Sequence, residues 1–379
     1  MSDTAIGRTL QALSAPGSAY ARTFDASPML DLSVGEARYS LPTEVREELG
    51  SAVARISDFG YADPAGDAVL RATYLDTIAE GRRDELGVLV TGGGKEAAWL
   101  AIRYLLHQRP HGSVLVPQPG WEPYGLWLDA IGRTRVGYDP VAVAADPGAL
   151  RRIITSASRK PALLVLNYPH NPTGVGVDQP TMDALIGIAV EYGLGVVSDE
   201  VYRMFSDQPG LATKVAAFDP DRHVVVDSCS KWLAAAGLRV GFLAAAPQMV
   251  RDLTLYRSTY ASCTSTVAQR AAHTLIESPA ARHWLTAVRE QVSASRAALA
   301  AALARWEIDV VSAGGLYLWC RVPEARPVAE QDRSGLLARV TGGAGFGAPG
   351  FFRLCPARAG LEPTAAAAAV ARTLAGDDA

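Results

Sequence analysis

His223-Val224-Val225-Val226-Asp227-Ser228-Cys229-Ser230-Lys231 is the stretch that decides how this chain folds. A run of β-branched residues fits a strand buried on both faces, as in a parallel sheet covered by helices. The lysine closing the run stands at the strand's end, where a buried ammonium must find a partner, lose its charge or react. Eight residues further on, Gly237-Leu238-Arg239-Val240-Gly241 places an arginine immediately before the next apolar run.

Working outward, short runs of the same kind recur: LGVLVTG (86–92), SVLVPQPG (113–120), ALLVLNYP (162–169), GVVSDE (195–200) and RVGFLAA (239–245). Between them, AAWLAIRYLLHQ (97–108) and MDALIGIAVEYG (182–193) carry apolar residues at helical spacing. The alternation predicts an α/β fold, a mostly parallel sheet flanked by helices, with ligands at the C-terminal ends of its strands. Towards the C-terminus the texture changes to a long helical stretch (280–306), strands GGLYLWCRV (314–322) and FFRLCPA (351–357), and an Ala-rich helix (364–375). We therefore expect a large domain over 46–275 and a smaller α+β domain formed by 1–45 and 276–379.

Several strand ends carry unusual residues. Thr91-Gly92-Gly93-Gly94-Lys95 opens a helix, and glycines there let backbone N–H groups approach an anion. This turn is neither a P-loop, for want of Gly-Lys-Ser/Thr, nor a complete G-x-G-x-x-G. Asn167-Tyr168-Pro169-His170-Asn171-Pro172-Thr173-Gly174 is a rigid turn that presents Asn171 at the sheet edge. Ser198-Asp199-Glu200-Val201-Tyr202 ends another strand in an acid, which on its own reads as a helix cap.

Composition bounds the function. The 379 residues are 49% hydrophobic and 20% charged, with Lys plus Arg at 36 against Asp plus Glu at 39, a net charge of -3. That balance gives no footing for nucleic acid or an anionic membrane. The four cysteines lie far apart and the six histidines form no H-E-x-x-H, so neither a disulfide framework nor a metal site is expected. With no apolar leader or membrane-length run, the expectation is a cytoplasmic protein.

Taken together and in order, N-P-T-G, D-E-x-Y and S-x-S-K followed by G-x-R-x-G resemble the aspartate-aminotransferase-like family, the class I/II aminotransferases of fold type I that depend on pyridoxal 5'-phosphate (PLP). The resemblance runs from about Gly35 to Arg353. It implies that Lys231 holds the cofactor as a Schiff base, that Asp199 pairs with the pyridine nitrogen, and that Asn171 and Tyr202 hydrogen-bond the ring hydroxyl oxygen. It places the phosphate on the backbone at Gly93, Gly94 and Lys95, with Ser228, Ser230 and Arg239, and stacks Trp121 on the ring. Tyr61 would reach the phosphate of a partner subunit, which implies a homodimer. Gly35 would close over the substrate and Arg353 would clamp its α-carboxylate.

The implied activity is an aminotransferase exchanging the amino group of an α-amino acid with a 2-oxo acid. The alternatives are a PLP-dependent lyase or cyclase and, more remotely, a non-catalytic PLP-fold regulator. One region departs from the family: Leu336–Val340 runs straight into Thr341–Gly347, a glycine-rich stretch that looks shortened and is expected to remodel the pocket wall. No second arginine for an acidic side chain stands out; Arg38 and Arg257 are the candidates.

Overall fold

The computed structural model describes residues 29–79, 81–206, 219–322 and 336–375. The N-terminal stretch 1–28 lies outside the described residues, as do 323–335 and 376–379 of the expected small domain.

Seven strands form the central sheet: β1 (Gly87–Thr91), β2 (Ser113–Pro117), β3 (Arg135–Tyr138), β4 (Pro161–Asn167), β5 (Gly195–Asp199), β6 (His223–Ser228) and β7 (Gly241–Ala245). Their order across the sheet is β1-β7-β6-β5-β4-β2-β3. β7 alone runs opposite to the other six strands. The sheet is therefore mostly parallel, as the apolar runs predict, and β2, β4, β5, β6 and β7 are buried almost throughout. Edge strand β3 was not anticipated, because its Arg135-Val136-Gly137-Tyr138 is largely open to solvent and carries no apolar run.

Helices cover the sheet. Gly94–His107 lays Ala97, Leu100, Ala101, Leu105 and Leu106 into the core. Gln179–Glu191 does the same with Met182, Leu185, Ile186 and Ala189 from the other apolar cluster of the sheet, and Asp178 caps it by accepting from Thr181 N.

A second, antiparallel sheet combines Val310–Gly314, Tyr317–Arg321, Phe351–Leu354 and Thr341–Gly342. Strand alternation sorts its side chains. Leu318, Cys320, Phe352 and Leu354 enter a separate apolar cluster with Leu299, Leu303 and the Ala-rich helix Pro363–Ala375. Tyr317 instead joins the main core, and Arg353 faces the same way. The 26-residue helix Pro279–Ala304 spans both cores, giving Ala281 to Val292 to one and Leu299 to Leu303 to the other. Among the described residues no helix is long and apolar enough to cross a membrane.

Candidate active site

A cavity of about 500 Å³ opens where the C-terminal ends of the parallel strands meet the second sheet. The reversed direction of β7 matters here. Its register sets Gly241 beside Thr91 of β1 and Ser228 of β6, so the start of β7 lies at the edge where its neighbours end. Arg239, two residues upstream, is thereby delivered to the same edge as Lys231.

At that edge the chain builds an anion-binding corner. Gly93 has φ 117°, and a Cβ there would lie 2.6 Å from Arg239 Nη2. A Cβ on Gly94 would stand 3.0 Å from Val201 Cγ1 and 3.1 Å from Ser228 Cβ. Glycine at both positions keeps the floor low and leaves the first N–H groups of helix Gly94–His107 facing the cavity. Arg239 itself is left-handed at φ 57°, an arrangement that costs a non-glycine residue roughly 1–2 kcal/mol. Its guanidinium donates to Ser230 Oγ at 3.3 Å, to Ala236 O at 3.0 Å and to Gly92 O at 3.1 Å. Ser228 is held by Asp227, whose Oδ1 accepts from Ser228 N at 2.7 Å while Oδ2 accepts from Arg203 Nε at 2.7 Å. Arginine, two hydroxyls and a helix N-terminus converge as a phosphate-sized anion requires.

Away from this corner lies Asp199, 5% exposed at the end of β5. Burial pushes its carboxyl up to about 6, against the hydrogen bond from Tyr124 Oη to Oδ2 at 2.5 Å. A buried carboxyl in this condition is a ready partner for a cationic ring nitrogen. Asn167 Nδ2 donates to Asp199 O at 2.9 Å, and Asn167 Oδ1 accepts from Asn171 N at 3.0 Å, so β4 and its turn are locked to β5.

Lys231 lines the middle of the cavity and donates to Gly35 O. Loss of solvent around its ammonium lowers it to about 8. Its Nζ lies 5.8 Å from the ring centre of Tyr202. Trp121 lines one wall, with Lys95 Nζ 5.4 Å from its ring centre.

Arg353, 5% exposed, closes the far side from the second sheet. Nη1 donates to Asn171 Oδ1 at 2.5 Å and Nη2 to Ser33 O at 2.7 Å, while Nε is buried with no hydrogen-bond partner among the described residues. The guanidinium carbon is 4.5 Å from the Tyr317 ring centre and 5.0 Å from that of Phe346. Residues 27–372 match the family model described as aminotransferase class I and II.

The chain belongs to the class I and II aminotransferases. It is 28% identical over 302 residues to an aspartate/prephenate aminotransferase of Thermus thermophilus, covering 76% of this chain and 75% of that one. A probable N-succinyldiaminopimelate aminotransferase of Mycobacterium tuberculosis is 28% identical over 314 residues, with 79% and 76% covered. Among solved structures, the aspartate aminotransferase from Thermus thermophilus with maleate superposes with a TM-score of 0.78 at 24% identity, covering 99% of this chain and 97% of that one. That likeness speaks for the fold, and it is the fold type I architecture.

Within this aminotransferase fold, Gly35, Gly94, Lys95, Trp121, Asn171, Asp199, Tyr202, Ser228, Ser230, Lys231, Arg239 and Arg353 all line the one cavity. Gly93 lies directly behind Arg239. Tyr61 is 92% exposed and does not reach the cavity of its own chain. Neither candidate second arginine faces the cavity: Arg257 is buried in a pair with Glu96 Oε1 at 3.0 Å, and Arg38 pairs with Glu36 and Asp31. The segment before Arg353 contains a strand, Leu337–Arg339, paired with Met29–Asp31, and Pro349-Gly350 forms the turn into Phe351, with Gly350 at φ 86°. Its glycine-rich part does shape the wall, since Gly120 N donates to Phe346 O at 3.0 Å and Phe346 lines the cavity.

Sequence reasoning missed Tyr124, Tyr317, Phe346 and Asn167. Tyr124 and Tyr317 sit among apolar and aromatic neighbours and read as core. The usable signal for Tyr317 was its place in a strand that pairs with the one bearing Arg353.

Proposed function

We propose that this chain is a PLP-dependent aminotransferase that uses Lys231 to exchange the amino group of an α-amino acid with a 2-oxo acid. The observation that carries it is the placement of Lys231, lowered to about 8, in one cavity with an anion-binding corner and the buried carboxyl of Asp199. The donor set fits the cofactor: Ser228, Ser230, Arg239 and the N–H groups of Gly94 and Lys95 suit its phosphate, and the raised carboxyl of Asp199 suits a protonated pyridine nitrogen. Bound PLP supplies an electron sink for the bond from the α-carbon to hydrogen.

The chain's own residues do the rest. Lys231 Nζ, reactive as the neutral amine, would hold the cofactor covalently and, once freed by the substrate's amino group, would carry the α-proton. Asp199, made anionic by the adjacent cation, holds the ring nitrogen protonated. Asn171 and Tyr202 would hold the ring hydroxyl oxygen, and Trp121 would flank the ring. Arg353, on the cavity's far side, would take the α-carboxylate with its planar guanidinium.

The same reading includes a cytoplasmic homodimer in which Tyr61 reaches the partner's phosphate site. Its support is the exposure of Tyr61 together with Phe59, 73% exposed on the same segment. The division into 46–275 and 1–45 with 276–379 belongs to it as well, supported by two apolar cores that meet along helix Pro279–Ala304. The relatives' names differ in the amino donor and agree on aminotransferase.

The test is a single half-reaction. Purified protein loaded with PLP is given one amino acid at a time without any oxo acid. Transamination converts the cofactor stoichiometrically to its pyridoxamine form, whereas elimination returns it unchanged. Borohydride reduction and peptide mapping should place the label on Lys231; a label on Lys95 would overturn the assignment.

A further inference from the structure

We propose that Tyr317 is a positioning residue that serves both halves of this site, its hydroxyl keeping Tyr202 a hydrogen-bond donor and its ring holding Arg353. The proposal rests on the cofactor reading above. Tyr317 begins the strand Tyr317–Arg321 and is 1% exposed, on the face opposite Leu318, which enters the small core. Its Oη is hydrogen-bonded to Tyr202 Oη at 2.6 Å, with the rings edge to face at 5.3 Å.

Two phenols at this distance share one proton between them, and a ring oxygen that takes the proton of Tyr202 leaves Tyr317 as the donor of the pair. A phenol owns one proton and can accept as well as donate. When Tyr317 donates to Tyr202, the Tyr202 oxygen is satisfied as acceptor and its own proton remains for a further oxygen. Hydrogen bonds in such a chain polarise one another, so Tyr202 becomes the stronger donor. Burial holds Tyr317 up at about 12 and Tyr202 well above the ordinary tyrosine value, so both keep their protons near neutral pH. The further oxygen is the ring hydroxyl oxygen of the cofactor.

The ring has a separate duty. The guanidinium of Arg353 rests 4.5 Å from its centre, a cation over an aromatic face. The hydroxyl is in turn hemmed in: a Cβ on Gly35 would come within 2.2 Å of Tyr317 Oη. Gly35 O accepts from Lys231 Nζ, so the tyrosine is packed against the backbone that touches the lysine. One side chain thus touches the neighbours of the cofactor linkage and the residue that grips the substrate.

Two substitutions separate the duties. Tyr317→Phe keeps the ring and removes the hydroxyl; Tyr317→Leu removes both. A donor on the ring oxygen withdraws charge that would otherwise hold the proton of the cofactor–lysine linkage. Weakening Tyr202 as a donor should therefore move the midpoint of the spectrophotometric pH titration of the bound cofactor upward. For Tyr317→Phe the expected shift is about 0.5–1 pH unit, the size of one net hydrogen bond, with KM unchanged. Tyr317→Leu should show the same shift and, in addition, a KM raised roughly fivefold for every amino acid. In a Tyr202→Phe background, Tyr317→Phe should add no further shift, since the relay is already cut.

An unmoved midpoint in Tyr317→Phe, additive shifts in the double variant, or a KM raised equally by both substitutions would each overturn the proposal. A wild-type protein with no cofactor on Lys231 would overturn the cofactor reading and this proposal with it. A normal wild-type signal beside an unmoved Phe variant overturns this proposal alone.

Discussion

Arg353 Nη1 donates to Asn171 Oδ1 at 2.5 Å, joining residues 182 positions apart in the chain. One comes from the strand Phe351–Leu354 of the second sheet and the other from the turn after β4, so this bond ties the second sheet to the C-terminal edge of the first across the cavity.

Arg353→Lys is expected to raise KM for all amino-acid substrates by a similar factor, about tenfold or more, with PLP retention unchanged. A carboxylate has two coplanar oxygens that a guanidinium meets with two N–H donors, and an ammonium offers one point contact. Hydrogen bonds to charged groups contribute roughly 1.5–3 kcal/mol. Steady-state kinetics over acidic, aromatic and aliphatic amino acids checks this, and an effect confined to acidic substrates would place the clamp elsewhere.

Asp199→Asn should lower kcat by roughly a hundredfold or more while KM changes little, because the carboxylate acts on the charge that develops in the transition state. In the cofactor-free protein the same substitution should stabilise. The folded value of Asp199, about 6, lies above its ordinary 3.8. Its contribution to stability is therefore full below 3.8 and lost as pH rises through about 6. Above that pH the Asn variant is expected to be the more stable by on the order of 1–3 kcal/mol, and the gap should close as the pH falls. Urea titrations of both apo proteins across this range give the answer.

The rate of PLP uptake by the apo protein should climb about tenfold per pH unit and level off near pH 8, where Lys231 becomes neutral. Only the neutral amine attacks an aldehyde, and an ordinary lysine would keep the rate climbing past pH 10. Stopped-flow absorbance distinguishes the two courses.

Gly35→Ala should cost about 1–3 kcal/mol of stability and roughly tenfold in kcat, because the new methyl would sit 2.2 Å from Tyr317 Oη. Adding Tyr317→Phe removes the clashing oxygen and should restore part of the stability without restoring activity. Thermal melts alongside kinetics of the single and double variants test this pairing.

Tyr61→Phe is expected to weaken PLP retention by about 1 kcal/mol in a protein that sediments as a dimer. A fully active monomer would contradict the shared-site arrangement.

The sequence carried the parts of the fold that burial writes into residue type. β4, β5 and β6 are β-branched or Leu-rich on both faces, and the residues at their ends, Asn171, Asp199 and Lys231, were singled out by their order along the chain and its resemblance to the family, each being unremarkable alone. Direction was not written. The apolar run of β7 reads the same for either polarity, so its antiparallel course, which brings Arg239 to the edge, emerged only from pairing. Tyr124 and Tyr317 stayed hidden because a buried phenol in an apolar stretch looks like packing until its hydroxyl is seen against Asp199 or Tyr202. The strand Leu337–Arg339 escaped notice because its partner, Met29–Asp31, is some three hundred residues away, beyond any local pattern.

The alternation along Phe351–Leu354 constrains how the gene for this chain can change in length. Phe352 and Leu354 point into the small core while Arg353 points at the cavity. Inserting one codon within that strand would exchange the faces, sinking a guanidinium among leucines and presenting Leu354 to the substrate. Inserting two would restore the facing but carry the arginine roughly 7 Å along the sheet, out of reach of Asn171. Insertions and deletions compatible with activity are thus confined to the connections on either side of this strand, and the strand itself can vary only by replacement.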